Sequence, residues 1–242
     1  MEVSMKYSKI LIFSGAGLSA ESGIATFRKS GTESVWDNFN LNEVCNQLTW
    51  KQNANKVHNF YNLRRKELET VEPNNAHYKI AEIKEKYGSN TYVITQNVDD
   101  LLERAGCSGI IHVHGELTKM ECTHCNHFWE IGYNEFNYLE ESCPKCKSKQ
   151  SIKPYVVLFN GKAPKYADMH SKLSEILEDE KALLVVIGTM GNVIPIGLFL
   201  KYRKCKTILN NLEPSEYLPD VLFDEVYYEP CTTFIDKLIL QL

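Results

Sequence analysis

KILIFSGAGLSAESGIATFR, residues 9–28, decides how this 242-residue chain is read. A strand-like run, KILIFSG at 9–15 with Ile10–Phe13 continuously apolar, leads directly into small residues. Continuous rather than alternating apolar character fits a strand buried on both faces. Gly15, Ala16 and Gly17 let backbone amides come close to a phosphate, and a helix N-terminus just after them favours an anion. Gly23 is the next glycine, so the spacing departs from G-x-G-x-x-G. Taken alone, the stretch reads equally well as a nucleotide site and as a tight turn.

Outward from it, similar runs recur at 91–97, 110–115, 155–161, 182–189 and 207–213, all with the look of buried strands. Amphipathic, helix-like stretches fill about 53–70, 75–87, 165–180 and 231–242. Such alternation predicts an α/β fold, a parallel sheet with helices on both faces. From about 116 to 152 the pattern stops, the chain turns polar, and a small insert is expected.

That insert carries CTHC at 122–125 and CPKC at 143–146. Cys122, Cys125, Cys143 and Cys146 form two tight pairs whose four thiolates suit a closed, tetrahedral, structural zinc site. His124 and His127 stand close by and read as loop residues, because four sulfurs fill the shell. The other cysteines, among eight in all, are scattered singly, unlike a disulfide framework.

Hydrophobic content of 43%, charged content of 24% and a net charge of −4 describe a packed globular protein without a basic field. Nucleic acid and anionic membrane are therefore not expected partners. No apolar run approaches the roughly 20 residues of a membrane span, and the start lacks the form of a secretory signal, so a cytoplasmic protein is expected.

Two motifs end strands, where ligands gather in open α/β sheets. TQNVDDL at 95–101 offers Gln96, Asn97 and Asp99 to sugar hydroxyls, or simply caps the next helix. HVHGE at 112–116 offers His114 as a general base, or as a satisfied core histidine. His112 shares its strand face, and the sequence does not rank the two.

VHNFYNLRRKEL at 57–68 puts an arginine on an apolar helix stripe of Val57, Tyr61, Arg64 and Leu68. Buried charges need partners. Glu67 and Glu69 lie off that stripe, so no acid of this helix is expected beside Arg64. A guanidinium aimed into an apolar pocket suits a carboxylate, with the Tyr61 phenol as a second donor. The other readings are a carboxylate from elsewhere in the fold, or a side chain that extends to water along its stem.

Together, GAGLSAESGIATFR, TQNVDDL, HVHGE, the cysteine pairs, KPYVVLFNG at 153–161, GTMGNVIP at 188–195 and LNNLEPS at 209–215 resemble the sirtuins, the NAD-dependent protein-lysine deacylases. The likeness covers nearly the whole chain. It implies a Rossmann-type NAD domain (roughly 1–30, 75–115 and 153–242) and a small domain made of a helical insert (31–74) and a zinc insert (116–152). It implies NAD as co-substrate, one structural zinc, and an acyl-lysine protein or peptide entering as an added strand between 159–164 and 190–194; a monomer is expected. By resemblance, Gly15, Ala16 and Gly17 hold the pyrophosphate with Arg28 nearby, and Phe27 shields the nicotinamide side. Gln96, Asn97 and Asp99 line the ribose and nicotinamide pocket, and Asn97 joins His114, the base, in catalysis. Gly188, Thr189 and Asn211 hold the adenosine half with Cys231, and Val156, Val157 and Phe159 border the acyl-lysine channel.

FYNLRR resembles the Tyr-x-x-Arg segment of the sirtuin branch that removes succinyl and malonyl groups, with Tyr61 and Arg64 on the pair. An alternative use of the pocket is NAD hydrolysis or mono-ADP-ribosyl transfer. The chain departs from the family pattern at Ala25, Leu102, Asn160-Gly161, Met190 and Glu229.

Overall fold

A computed structural model of the chain describes residues 6–24 and 40–242. In order it contains β1 (Ile10–Ser14), α1 (Gly17–Ala20), α2 (Leu41–Val44), α3 (Ala54–Thr70), α4 (Asn75–Tyr87), β2 (Thr91–Thr95), α5 (Leu101–Arg104) and β3 (Ile110–His112). There follow β4 (Gly115–Cys122), β5 (His127–Glu130), β6 (Ile152–Val156), α6 (Tyr166–Leu177), β7 (Leu183–Ile187), α7 (Ile196–Phe199), β8 (Lys206–Asn211), β9 (Glu225–Tyr228) and α8 (Cys231–Gln241).

Six strands form one sheet in the order β3-β2-β1-β7-β8-β9, every pair parallel. Side chains alternate across it. Ile10 and Ile12 join Val93, Val185 and Ile208 under α4 and α8, through Ile80, Ile83, Phe234 and Leu238. Leu11 and Phe13 point the other way, with Ile94, Leu184, Val186 and Leu209, onto Met169, Leu173 and Ile176 of α6. Both faces are covered, which is why β1 and β7 carry no polar alternation. Each such side chain contributes roughly 1.5–3 kcal/mol by leaving water.

The strand order reverses between β1, which β2 and β3 extend to one side, and β7, which β8 and β9 extend to the other. That switch point opens a crevice at the strands' carboxyl ends. A second, antiparallel sheet, β5-β4-β6, carries the four cysteines. Helix α3 packs on the small sheet, with Phe60, Tyr61 and Leu68 in a core shared with Leu117, Val156 and Leu158.

One sequence expectation changes. The run at 155–161 is no strand of the parallel sheet: β6 ends at Val156, belongs to the small sheet, and the chain then turns. An apolar run of this length fits either environment. The region 116–152 holds most of β4 and all of β5, and its few apolar side chains (Met120, Phe136, Ile152) pack directly around the cysteines. A core that small leaves little periodicity to read.

Candidate active site

The loop after β1 approaches the one after β7 backbone to backbone. The Gly15 N–H donates to the Ile187 carbonyl at 2.9 Å and the Gly17 N–H to the Gly188 carbonyl at 2.8 Å. A Cβ on Gly17 would lie 2.6 Å from the Gly188 Cα, and Gly188 itself has φ +62. Only glycine fits both places. Beside them, the Asn211 side-chain amide donates to the Thr189 carbonyl at 2.9 Å, and the Gln96 amide to the Thr189 hydroxyl at 2.8 Å. Gly15, Ala16, Gly17, Gln96, Gly188, Thr189 and Asn211 therefore gather at one crevice. Cys231 starts α8 with its thiol near the Gly17 and Leu18 carbonyls and 3.2 Å from Glu21 Oε1. Burial first, then the Glu21 carboxylate, pushes that thiol upward, so it sits neutral as a helix-end tie. Phe27 and Arg28 lie outside the described residues, as does Ala25.

Asn97 and Asp99 are both nearly buried, and their partner is a residue the sequence reading passed over. The Ser19 hydroxyl donates to Asp99 Oδ2 at 2.9 Å and accepts from the Asn97 amide at 3.0 Å. His77 Nε2 lies 3.4 Å from the same oxygen. The Asn74 N–H donates to His77 Nδ1 at 3.2 Å, which leaves the proton on Nε2. Burial drops the His77 pKa to about 4 and lifts Asp99 to about 6. At neutral pH the histidine is uncharged and the chain of donors runs one way, toward the Asp99 carboxylate. Ser19 stands inside GAGLSAESG, but nothing in its spacing sets it apart from a core serine.

Structure separates the two histidines. His112 uses both nitrogens, Nδ1 on the Asn97 carbonyl at 3.0 Å and Nε2 on Glu103 at 2.8 Å. Burial alone lowers its pKa; the Glu103 hydrogen bond and charge outweigh that and raise it. His114 spends one nitrogen: Nδ1–H donates to the Gln96 carbonyl at 3.0 Å. That fixes the tautomer and leaves the Nε2 lone pair as the basic atom. Burial lowers the His114 pKa, against the pull of the Gln96 carbonyl, so it is neutral at pH 7.

The opposite wall comes from α3 and the segment after β6. The Val157 N–H donates to the His114 carbonyl at 2.8 Å. Phe159 is held at both ends, its N–H on the Cys45 carbonyl at 2.7 Å and its carbonyl by the Gln47 N–H at 2.9 Å. Asn160 then takes φ 63 and Gly161 closes the turn onto the Leu158 carbonyl. Asparagine tolerates that left-handed conformation, which accounts for the Asn160-Gly161 pair. Val156 is buried, Val157 half-buried, and Phe159 exposed with its ring free for a ligand.

Tyr61 and Arg64 are 6% and 8% exposed. The Tyr61 hydroxyl lies 3.6 Å from the Cys45 thiol. Burial pushes both groups' pKa values up, and burial lowers that of Arg64 against the charge of Glu67. One expectation fails here: Arg64 Nη2 forms an ion pair with Glu67 of its own helix. Positions three apart are neighbours on a helix surface, so a long side chain on the stripe's flank reaches it. The next residue, Arg65, is buried more deeply. It points about 100° away, and its Nε donates to the Asn134 carbonyl at 2.9 Å, tying α3 to the cysteine module.

In that module the Cys122–Cys146 and Cys125–Cys143 sulfurs lie 3.6 and 3.7 Å apart, and all four fall within 4.8 Å of one another. Zn–S bonds of about 2.3 Å in a tetrahedron give an S–S edge of about 3.8 Å. The donor set and its dimensions fit one zinc ion with no place left for water.

Of the remaining departures, Leu102 is a buried core residue, Glu229 ion-pairs with Lys237, and the Met190 carbonyl accepts from Ser215 at 2.6 Å. None intrudes on the crevice residues. No described helix is long and apolar enough to cross a membrane.

The sequence model of the Sir2 family matches residues 15–195. An NAD-dependent protein deacylase of Campylobacter jejuni is 43% identical over 233 residues, covering 96% of this chain and 95% of its own. One of Helicobacter hepaticus is 41% identical, with 97% of each chain covered. Among solved structures, a Sir2 homolog–NAD complex superposes with a TM-score of 0.82 at 31% identity, covering 98% of this chain and 90% of that one. A mutant Sir2 homologue with ADP-ribose gives 0.83 at 30% identity, covering 97% and 92%.

Proposed function

The chain belongs to the Sir2 family, and we propose that this NAD-dependent protein deacylase removes acidic acyl groups, succinyl and malonyl, from lysine, with acetyl as a further substrate. The observation that carries the acyl preference is the near-complete burial of Tyr61 and Arg64 on one face of α3, against Cys45 and beside Val156 and Leu158. A guanidinium carries five donors in a planar fork, so Arg64 can hold an acyl carboxylate in addition to Glu67.

NAD supplies an anomeric carbon to which the acyl oxygen bonds as nicotinamide leaves; a ribose hydroxyl then attacks the acyl carbon, and one water is consumed as the C–N bond to lysine breaks, so the products are nicotinamide, O-acyl-ADP-ribose and free lysine. The residues of the chain divide that work. The Gly15–Gly17 loop, pinned by its Gly15 and Gly17 N–H groups to the Ile187 and Gly188 carbonyls, and the Gly188–Thr189 loop, braced by Asn211, take the phosphate and adenosine half. Gln96, Asn97 and Asp99 face the ribose and nicotinamide; the Ser19 network holds Asn97 and Asp99 in fixed rotamers, so positive charge developing on the sugar meets oriented dipoles. His114 Nε2 takes the proton of a ribose hydroxyl, because Nδ1–H is committed to Gln96. Val156, Val157 and Phe159 line the lysine channel. Since both backbone groups of Phe159 are taken by 45–47, the substrate strand pairs from residue 160 onward and with 190–194. In domain terms, the parallel sheet carries NAD, and the helical and zinc inserts carry the acyl-lysine.

The test is nicotinamide release with matched succinyl-, acetyl- and unmodified-lysine peptides, parent against Arg64→Met. Succinyl preference lost in the variant supports the reading. An Arg64→Met enzyme that removes succinyl as fast as the parent excludes it, and release independent of acyl-lysine points to NAD hydrolysis or ADP-ribosyl transfer instead.

A further inference from the structure

We propose that Glu67 sets how strongly the site discriminates acidic from neutral acyl groups, an inference that rests on Arg64 reading the acyl carboxylate. The Arg64 side chain is 9% exposed and that of Glu67 37%, and the two form an ion pair one helical turn apart. Glu67 therefore lies on the outer side of the guanidinium, where it can turn toward water, while Arg64 stays with Tyr61 and Cys45.

The physical consequence follows from charge. A buried guanidinium is costly unless compensated. Glu67 provides that compensation whether or not substrate is bound, so the Arg64–Glu67 couple presents no net charge to an arriving acyl chain. A succinyl or malonyl carboxylate becomes the second anion on one cation: it gains the attraction of Arg64 and meets the repulsion of Glu67. An acetyl group meets neither. Glu67 thus weakens acidic-acyl binding selectively and leaves room for neutral acyl groups in the same pocket. Without this carboxylate its repulsion of a second anion is gone while the attraction of Arg64 remains, and selectivity for acidic groups rises.

The experiment measures kcat and KM for succinyl- and acetyl-lysine peptides of one sequence in the parent, Glu67→Gln, Arg64→Met and the double variant. Glu67→Gln is expected to raise the succinyl-to-acetyl ratio of kcat/KM by roughly three- to thirtyfold, mainly through the succinyl KM. In the Arg64→Met background the same change leaves the ratio where Arg64→Met put it. Glu67→Ala, which removes the charge without adding an amide, must move the ratio in the same direction and guards against a private effect of glutamine. An unchanged ratio in Glu67→Gln overturns the inference. A lowered ratio also overturns it, and identifies Glu67 as a support that aims the guanidinium. Arg64→Met with an unaltered ratio, read separately, defeats the acidic-acyl reading itself, so the two failures are told apart.

Discussion

His112 and His114 leave the same strand end two residues apart, yet their environments drive their protons in opposite directions. The proposed base, His114, has to be neutral to work, and burial holds it below the ordinary histidine value of 6.5. The acid limb of kcat/KM should therefore fall below pH 6.5, with activity lost as pH drops through that lowered value. A profile whose acid limb lies above 6.5 would place the base elsewhere. His114→Ala should cost about 10²–10⁴-fold in kcat/KM. His112 has a raised pKa, so its pairing with Glu103 contributes stability that is full below the unfolded value and is lost as pH rises through the folded one. The Tm gap between parent and His112→Gln should narrow as pH climbs above 6.5. In the sequence the two histidines are equivalent, because which nitrogen finds a partner depends on Gln96, Asn97 and Glu103, brought in by other segments. Glu67 was missed for a related reason: a stripe drawn through core positions ignores how far a flanking carboxylate reaches.

At the scale of elements, a close backbone crossing does what a nucleotide fingerprint does elsewhere. Strands β1 and β7 run side by side in register, Ser14 opposite Ile187, so their following loops must pass each other at once. Glycines at 15, 17 and 188 let them. Gly17→Ala would drive a methyl to 2.6 Å from the Gly188 Cα and force the loops apart. We expect a loss of about 1–3 kcal/mol in stability, read by thermal or denaturant melting, together with a raised Kd for NAD by calorimetry. Normal NAD affinity in that variant would mean the crossing is only structural. Helix α4 illustrates what was legible: the amphipathic stretch at about 75–87 marks it, and the helix runs Asn75–Tyr87, where the structure adds Asn74 as a cap accepting from the Ala76 N–H at 2.9 Å. That His77 in the same cap also reaches Ser19 was not legible, since the contact joins residues 58 apart in the chain. The run at 155–161 failed differently. Val156 and Leu158 are buried as expected, but by α3 and the small sheet, and burial alone does not name the neighbour.

Over the whole molecule, the parallel sheet stands on its own two-sided core, whereas the cysteine module buries only Met120, Phe136 and Ile152 beside its cysteines, with Trp129, Ile131 and Tyr138 half-buried against them. So small a core needs a staple, and a closed zinc site provides folding energy directly. The module is also not an appendage. The buried Arg65 and His58 of α3 bond to the Asn134 and Ile152 carbonyls, and β6 runs from the cysteine sheet straight into Val156 and the Val157–His114 hydrogen bond. Metal loss should therefore reach the proposed acyl-lysine wall and base, although the four zinc-site cysteines belong to the small module. We expect one zinc per chain by elemental analysis. Chelation should lower Tm, and it should cut kcat/KM for acyl-lysine more than it weakens NAD binding, because the Gly17–Gly188 crossing belongs to the parallel sheet. Cys143→Ser should behave like the chelated protein. Stripped protein with unaltered Tm and kcat/KM would show the module to be independent of the site, and the path from Ile152 to His114 would then carry no function.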